Sequence, residues 1–182
     1  MVKQQFNKAL IPLILFTALF FALTYLPLHT RVLGAPRLQP AATTLLDMQF
    51  ENNLNDDSGN GLHGTWHGTA AYTTGVSGQA LDLLTGNYVT IAHDDLLGGM
   101  GQVTIDLWAR KDTPGSAGTV VEKYGHFALL VGASSVSGRV WIDGVGIVQV
   151  DNYTLNSIND TGWHHYILTY NGATVRIFVD DA

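Results

Sequence analysis

The chain contains no cysteine among its 182 residues. This excludes a disulfide framework, a cysteine-ligated zinc site and a thiol nucleophile. Lysine and arginine number 9 against 15 aspartates and glutamates, which gives a net charge of −6. A nucleic-acid-binding surface needs a basic stripe for the phosphates, so this balance argues against DNA or RNA as a partner. Charged residues make up only 13% of the chain and hydrophobic residues 46%, a composition too apolar for intrinsic disorder.

Charge is absent altogether from residues 9–30, which follow Lys3 and Lys8. A basic start and a long apolar run are typical of an export signal. The run also reaches the roughly 20 residues that cross a bilayer, so a retained anchor helix is the alternative. We predict residues 1–34 to be a signal peptide or signal-anchor and residues 35–43 a Pro/Ala linker. The protein is then expected outside the cytoplasm, extracellular or at the cell surface, with membrane contact only through residues 9–30 if these are not cleaved.

From Thr44 onward the hydrophobic period is two, which predicts β-strands with one face on a core. In Gln102–Arg110, for example, the aliphatic residues alternate with Thr104, Asp106, Trp108 and Arg110. Gly, Asn and Asp turn signals separate the runs, so the body is expected to be an antiparallel sandwich or jelly roll. The other candidate strands are residues 46–50, 79–84, 87–92, 119–123, 127–132, 139–143, 146–151, 163–170 and 174–180.

The order of these motifs resembles a laminin-G-like jelly roll of the concanavalin A-like lectin/glucanase superfamily. The resemblance rests on six stretches: Leu45–Thr65, Ser77–Leu83, Asn87–Ile91, Val103–Arg110, Gly162–Gly172 and Val175–Asp180. It implies an all-β fold of two packed antiparallel sheets for residues 44–182, preceded here by the N-terminal hydrophobic export or anchor helix. It also implies further strands beyond Ala182, the last of them beside the first strand, so a truncated chain is expected.

The loop Asn52–Gly64 is the most polar part of the sequence. Its Asp, Asn and glycine carbonyl groups are the oxygen ligands that calcium prefers. With the family resemblance, we predict a structural calcium ion, with Asp57 and Asn60 as first ligands and Asp56 and Asn55 as further ones. The alternative is an Asx-rich turn whose side chains bond their own backbone.

Aromatic side chains can stack on the apolar faces of sugar rings. The candidates for such a binding surface are Trp66, Tyr72, Tyr88, Tyr124 and Tyr153. Trp108, Trp141 and Trp163 lie inside strongly patterned strands and are expected in the core. The period also groups His165 with Trp163 and Ile167, and we expect a histidine hydrogen-bonded within the sandwich.

An enzyme is not expected. Retaining glucanases of the resembled superfamily place Glu, Asp and Glu on alternate residues of one strand, and the equivalent stretch Thr104–Trp108 offers only Asp106. The sequence contains only two glutamates, Glu51 and Glu122. The first hypothesis is an exported, non-catalytic module that binds a polysaccharide or an extracellular protein. A structural or adhesion piece of a larger surface protein without its own ligand is the alternative, and a glycoside hydrolase comes last.

Overall fold

A computed structural model describes residues 2–5, 43–152 and 156–180 of the chain. The apolar run 9–30, most of the predicted linker and Tyr153 lie outside the described residues. Within the described ranges, no helix is long and apolar enough to cross a membrane. The helical elements described are two short 3₁₀ turns, Asp95–Leu97 and Asn156–Ile158.

The described structure is otherwise built of β-strands that pair antiparallel, so the predicted all-β class is confirmed. All of the strands belong to one compact unit of the chain. The strands are β1 (Val2–Gln5), β2 (Gly64–His67), β3 (Tyr72–Thr74), β4 (Gln79–Asp82), β5 (Tyr88–Ile91), β6 (Val103–Lys111), β7 (Gly118–Lys123), β8 (Phe127–Val131), β9 (Val136–Ile142), β10 (Gly146–Asn152), β11 (His164–Tyr170) and β12 (Val175–Val179).

These strands form three sheets, where the sequence predicts two. A six-stranded sheet has the order β12-β11-β6-β1-β4-β3, and a four-stranded sheet has the order β10-β9-β8-β7. The third sheet, which was not predicted, has two strands, β2 and β5. The first strand, β1, lies inside the range predicted as a signal or anchor, and its backbone pairs with both β6 and β4.

The main core lies between the six-stranded and the four-stranded sheets. Ile105, Leu107 and Ala109 of β6 are at most 7% exposed and pack with buried residues of β8, β9 and β11. The alternation in β6 is thus confirmed, because its odd-numbered residues from 105 to 111 are buried and its even-numbered ones are not. Gly138 of β9 gives the sheets room to approach, since a Cβ there would lie 2.4 Å from Leu168 Cδ1.

The strand predicted over residues 46–50 is not formed. Met48 and Phe50 are buried at 2% exposure, but their segment has no strand partner in the described structure. Their alternation reflects a second apolar cluster, which they form with Leu54 and Leu81. The segment instead bonds to the polar loop that follows it, for example through Asp57 N to Asp47 O at 2.7 Å. Phe50 takes a left-handed φ of 58°, which is incompatible with continuing a ladder.

A candidate binding face

The side of β6 that faces away from the core carries a row of polar and aromatic side chains. Asp106, Trp108 and Arg110 occupy alternate positions and are half-buried. Because strand residues two apart point to the same face, all three side chains share one surface. The neighbouring strand β11 adds His165 directly opposite Trp108. We call these four residues, together with Trp163 just before β11, the Trp108 face.

The histidine of this face is held on two sides. Its ring stacks on Trp108 with centroids 4.9 Å apart and planes 10° from parallel. Its Nε2 lies 2.6 Å from Asp106 Oδ1, across the diagonal of the two strands. Diagonal neighbours in a sheet are within reach of aromatic side chains, which is why the register allows both contacts. The imidazole is therefore fixed in one orientation.

The second half of the face contains two buried donors without an acceptor. The Arg110 guanidinium lies over the Trp163 ring at 5.2 Å from its centroid. Arg110 Nε and Trp108 Nε1 are both fully buried, and no described residue accepts a hydrogen bond from either. Buried donors are nearly always satisfied in native proteins, so a pair of them on one face needs an explanation.

The neighbouring histidine, His164, points to the opposite side of β11 and is 8% exposed. The histidine bonded within the sandwich is therefore His164, and the prediction of His165 for that role is wrong, because His165 lies on the outer face with Trp163. His164 Nδ1 lies 2.7 Å from Asp180 Oδ2, and its Nε2 lies 3.0 Å from Asp160 Oδ1. Burial alone would lower the pKa of His164, but the hydrogen bonds to Asp180 and Asp160 raise it above its usual value.

The predicted calcium loop has the geometry of an Asx-rich turn. Asp56 is 6% exposed, and its carboxylate accepts hydrogen bonds from the backbone N–H groups of Asp47, Ser58 and Leu62 at 2.9–3.0 Å. Burial would raise the pKa of Asp56, but these bonds and the Ser58 side chain lower it to about 2. Asn60 Nδ2 donates to Leu45 O at 2.9 Å.

Two of the predicted calcium ligands in this loop have side chains that are free to bind an ion. Asp57 and Asn55 are exposed, and their side chains form no hydrogen bond within the described structure. The described residues contain no group of three His, Cys, Asp or Glu side chains that could hold a metal ion. Gly59 and Gly61 adopt φ values of 91° and 74°, which lets the loop fold back on residues 44 and 45. Calcium binding at this loop stays a prediction, and replacing Asp57 is the most direct way to test it.

The structure brings two of the predicted sugar-stacking aromatics, Trp66 and Tyr72, into contact with each other. Trp66 donates from Nε1 to the Tyr72 hydroxyl at 3.3 Å, and both rings pack against the second apolar cluster. Tyr88 is 53% exposed and stacks on His67 at 4.5 Å between ring centroids. Tyr124 is 88% exposed in the β7–β8 turn. These four residues do not form one surface in the way that the Trp108 face does.

Comparison with protein families agrees with the all-β fold. The family model of the concanavalin A-like lectin/glucanase superfamily, in its laminin-G-like form, matches residues 84–181, slightly more than half of the chain. The chain belongs to this superfamily. The predicted laminin-G-like resemblance is confirmed, although its first two stretches, Leu45–Thr65 and Ser77–Leu83, precede the matched range. No curated protein and no solved structure shows a significant match.

Membership in the concanavalin A-like superfamily is consistent with a binding or glycan-related module. The Trp108 face was missed at the sequence level because Trp108 and Trp163 were assigned to the core by their position in strong strands. The signal was present in the alternation of β6, which puts Trp108 on the side opposite to Ile105 and Leu107.

Proposed function

We propose that this protein is an exported, non-catalytic module that binds glycan through the Trp108 face. The observation that carries the proposal is the outward row of polar and aromatic side chains, in which the Trp108 and His165 rings stack and the Arg110 guanidinium lies over the Trp163 ring. Sugars combine apolar ring faces with hydroxyl oxygens, so they suit a surface of rings and fixed donors. The membership in the superfamily and the apolar run at residues 9–30 support the rest of the proposal.

The charges of the face favour a neutral or weakly acidic glycan. Asp106 is committed to His165, and Arg110 is the cation whose buried Nε lacks a partner. Charge-assisted hydrogen bonds are about twice as strong as neutral ones, so Arg110 is expected to contribute most to affinity.

Hydrolysis is not part of the proposal. A retaining glycosidase needs two carboxylates about 5 Å apart across the scissile bond. Of the outward positions on β6, β11 and β12, only Asp106 is acidic. Glu122 lies on β7 in the other main sheet, and Glu51 bonds Gln79 N at the start of β4. An acid and a nucleophile therefore do not meet on the Trp108 face.

The test is a glycan array with the full chain, followed by titration of the best ligand against Arg110→Gln. Arg139→Gln is the matched control, because Arg139 is also half-buried on an outward strand face but bonds Gln149 at 2.8 Å on the other sheet. We expect the Arg110 variant to weaken binding about tenfold, which corresponds to about 1.4 kcal/mol, and the Arg139 variant to bind as the parent does.

Three results would contradict the proposal in whole or in part. A folded sample that binds nothing on the array would favour the structural or adhesion role without a ligand. Equal affinities of the Arg110 and Arg139 variants would remove the Trp108 face as the site. Binding to an extracellular protein in place of a glycan would keep a binding module but overturn the ligand class.

A further inference from the structure

The turn between β11 and β12 carries an asparagine that is followed by a glycine. Asn171 and Gly172 are exposed, and they come directly after Tyr170, which forms the last pair of the β11–β12 ladder. The side-chain amide of an asparagine can react with the backbone nitrogen of the next residue, which closes a five-membered ring. Glycine has no side chain to hinder this approach, and Gly172 adopts a φ of 91°. The pair is therefore a candidate for spontaneous modification in water.

The backbone of the turn polarises the side-chain amide of Asn171. Its Oδ1 accepts hydrogen bonds from Ala173 N at 3.0 Å and from Thr174 N at 2.8 Å. When a nucleophile adds to Cγ, negative charge develops on this oxygen. Backbone donors at about 2.7–3.1 Å are the arrangement that stabilises such an oxyanion in enzymes. The turn thus favours addition of a nucleophile at Asn171 Cγ.

The attacking and the leaving nitrogen are not held by other contacts. Gly172 N and Asn171 Nδ2 form no hydrogen bond to any residue that the structure describes. No bond within the described residues therefore has to break before these two groups react. Residues 171–174 are all exposed, so water has access to the ring that the reaction would form.

The other Asn-Gly pair of the sequence, Asn60-Gly61, provides an internal comparison. It is exposed as well, but Asn60 Nδ2 donates to Leu45 O at 2.9 Å and to Ser58 Oγ at 3.2 Å. Among the described residues, no N–H group donates to Asn60 Oδ1. In this pair the leaving nitrogen is held and the oxygen lacks its donors, which is the opposite of the arrangement at Asn171.

We propose that Asn171 is a deamidation site of the folded protein. Gly172 N forms a bond to Asn171 Cγ and loses its proton to water, while the Cγ–Nδ2 bond breaks and Nδ2 takes up a proton and leaves as ammonia. Water then opens the resulting succinimide at one of its two carbonyl carbons. Opening at Cγ gives aspartate, and opening at the backbone carbonyl carbon gives isoaspartate. Water is the only co-reactant, and nothing is oxidised or reduced.

The two products differ in their effect on the β11–β12 hairpin. Aspartate keeps the oxygen that accepts from the two backbone N–H groups. Isoaspartate instead adds one methylene carbon to the backbone of the turn. A Cβ at Gly172 would lie 3.3 Å from Gly101 O, which leaves little room for a longer turn. Because β12 is an edge strand that pairs only with β11 in the described structure, we expect isoaspartate to loosen it.

The experiment incubates the full chain in isotopically labelled water at mildly alkaline pH and follows both Asn-Gly pairs by peptide mass spectrometry. We expect Asn171 to be converted about tenfold faster than Asn60, because one oxyanion donor in an enzyme is worth about 100-fold and this turn is open to water. The matched control is the same chain unfolded in urea, where both pairs should react at about the same rate. Ala173→Pro removes one of the two donors, leaves the Asn-Gly pair intact and should slow conversion of Asn171 about fivefold.

The comparison between the two pairs decides the inference. Equal rates in the folded chain, or a faster reaction at Asn60, would overturn it. An identical ratio of rates in the folded and the unfolded chain would also overturn it, because the fold would then contribute nothing. If Ala173→Pro does not fold, the comparison of the folded and unfolded parent is sufficient.

A second measurement addresses the effect on the hairpin. The isoaspartate form, separated by chromatography, should have a lower Tm than the Asn171→Asp variant, which has the aspartate product at the same position. Equal Tm values would contradict the loosening of β12. This inference is independent of the proposed function, since neither the rates nor the Tm values depend on glycan binding at the Trp108 face.

Discussion

Replacing Asp56 with asparagine should destabilise the fold by a measurable and pH-dependent amount. The carboxylate is buried and accepts three backbone hydrogen bonds, which lower its pKa from 3.8 to about 2. One pKa unit corresponds to about 1.4 kcal/mol, so the charged form contributes about 2–3 kcal/mol to the free energy of unfolding at neutral pH. In the Asp56→Asn variant an amide N–H group would also face the N–H of Leu62. We expect a Tm lower by about 5–10 °C.

The assay is thermal unfolding by circular dichroism of Asp56→Asn and of Asp57→Asn. Asp57 is the matched control, because it is adjacent and exposed, and its change should stay within about 0.5 kcal/mol. Because the folded pKa of Asp56 is depressed, its contribution is present above pH 3.8 and is lost as the pH falls through about 2. The gap between parent and Asp56→Asn should therefore close near pH 2. Equal Tm values for the two variants at pH 7, or a gap that persists at pH 2, would refute the reasoning.

Three further predictions concern other parts of the structure. His164→Gln should lower the free energy of unfolding by up to about 2 kcal/mol at about pH 5.5, and by less at pH values above the raised pKa of His164. The reason is that a histidine whose pKa is raised in the folded state gives a stabilisation that is lost as the pH rises through that pKa. A difference in Tm that does not depend on pH would contradict this prediction. Gly138→Ala should destabilise the fold by about 1–3 kcal/mol in denaturant unfolding, because the added methyl group would press against Leu168. Gly101→Ala should leave the stability unchanged, since its Cβ would meet nothing within 4 Å. Equal unfolding midpoints for the two variants would argue against tight packing at Gly138. If the polar loop holds calcium, adding calcium in hundredfold excess over Kd should stabilise by about 2.7 kcal/mol relative to chelator, and Asp57→Asn should abolish the rise; an unchanged Tm would leave the loop a turn.

The sequence predicts a strand correctly where hydrophobic residues alternate with polar ones and the segment also pairs with a neighbouring strand. Two such strands are Val103–Lys111 and His164–Tyr170, each of which pairs with a strand on both sides. Their alternating hydrophobic pattern predicts both the strand and the face that is buried. Residues 46–50 show the same alternation without a ladder, because burial against a second cluster produces the same pattern as a strand. Hydrophobic periodicity reports which side chains are buried, and it does not report whether the backbone finds a partner.

The candidate sites were harder to predict because they depend on contacts between distant residues. The sequence shows the loop around Asp56 as a polar cluster. Only the fold shows that the Asp56 carboxylate accepts hydrogen bonds from three backbone N–H groups. The Trp108 face needs the register between β6 and β11, which pairs His165 with Trp108 across 57 positions of sequence.

The two adjacent histidines of β11 connect the interior to the Trp108 face through one carboxylate. Asp180 Oδ2 lies 2.7 Å from His164 Nδ1, while Asp180 Oδ1 accepts from the backbone N–H of His165 at 2.9 Å. Asp180 N also donates to His165 O at 3.0 Å, so both backbone groups of His165 are held by this residue. The position of the His165 ring on Trp108 thus depends on the same aspartate that stabilises the His164 imidazolium. Loss of the proton from His164 weakens one of these bonds and leaves the other two intact, so we expect the Trp108 face to keep its geometry across the titration of His164.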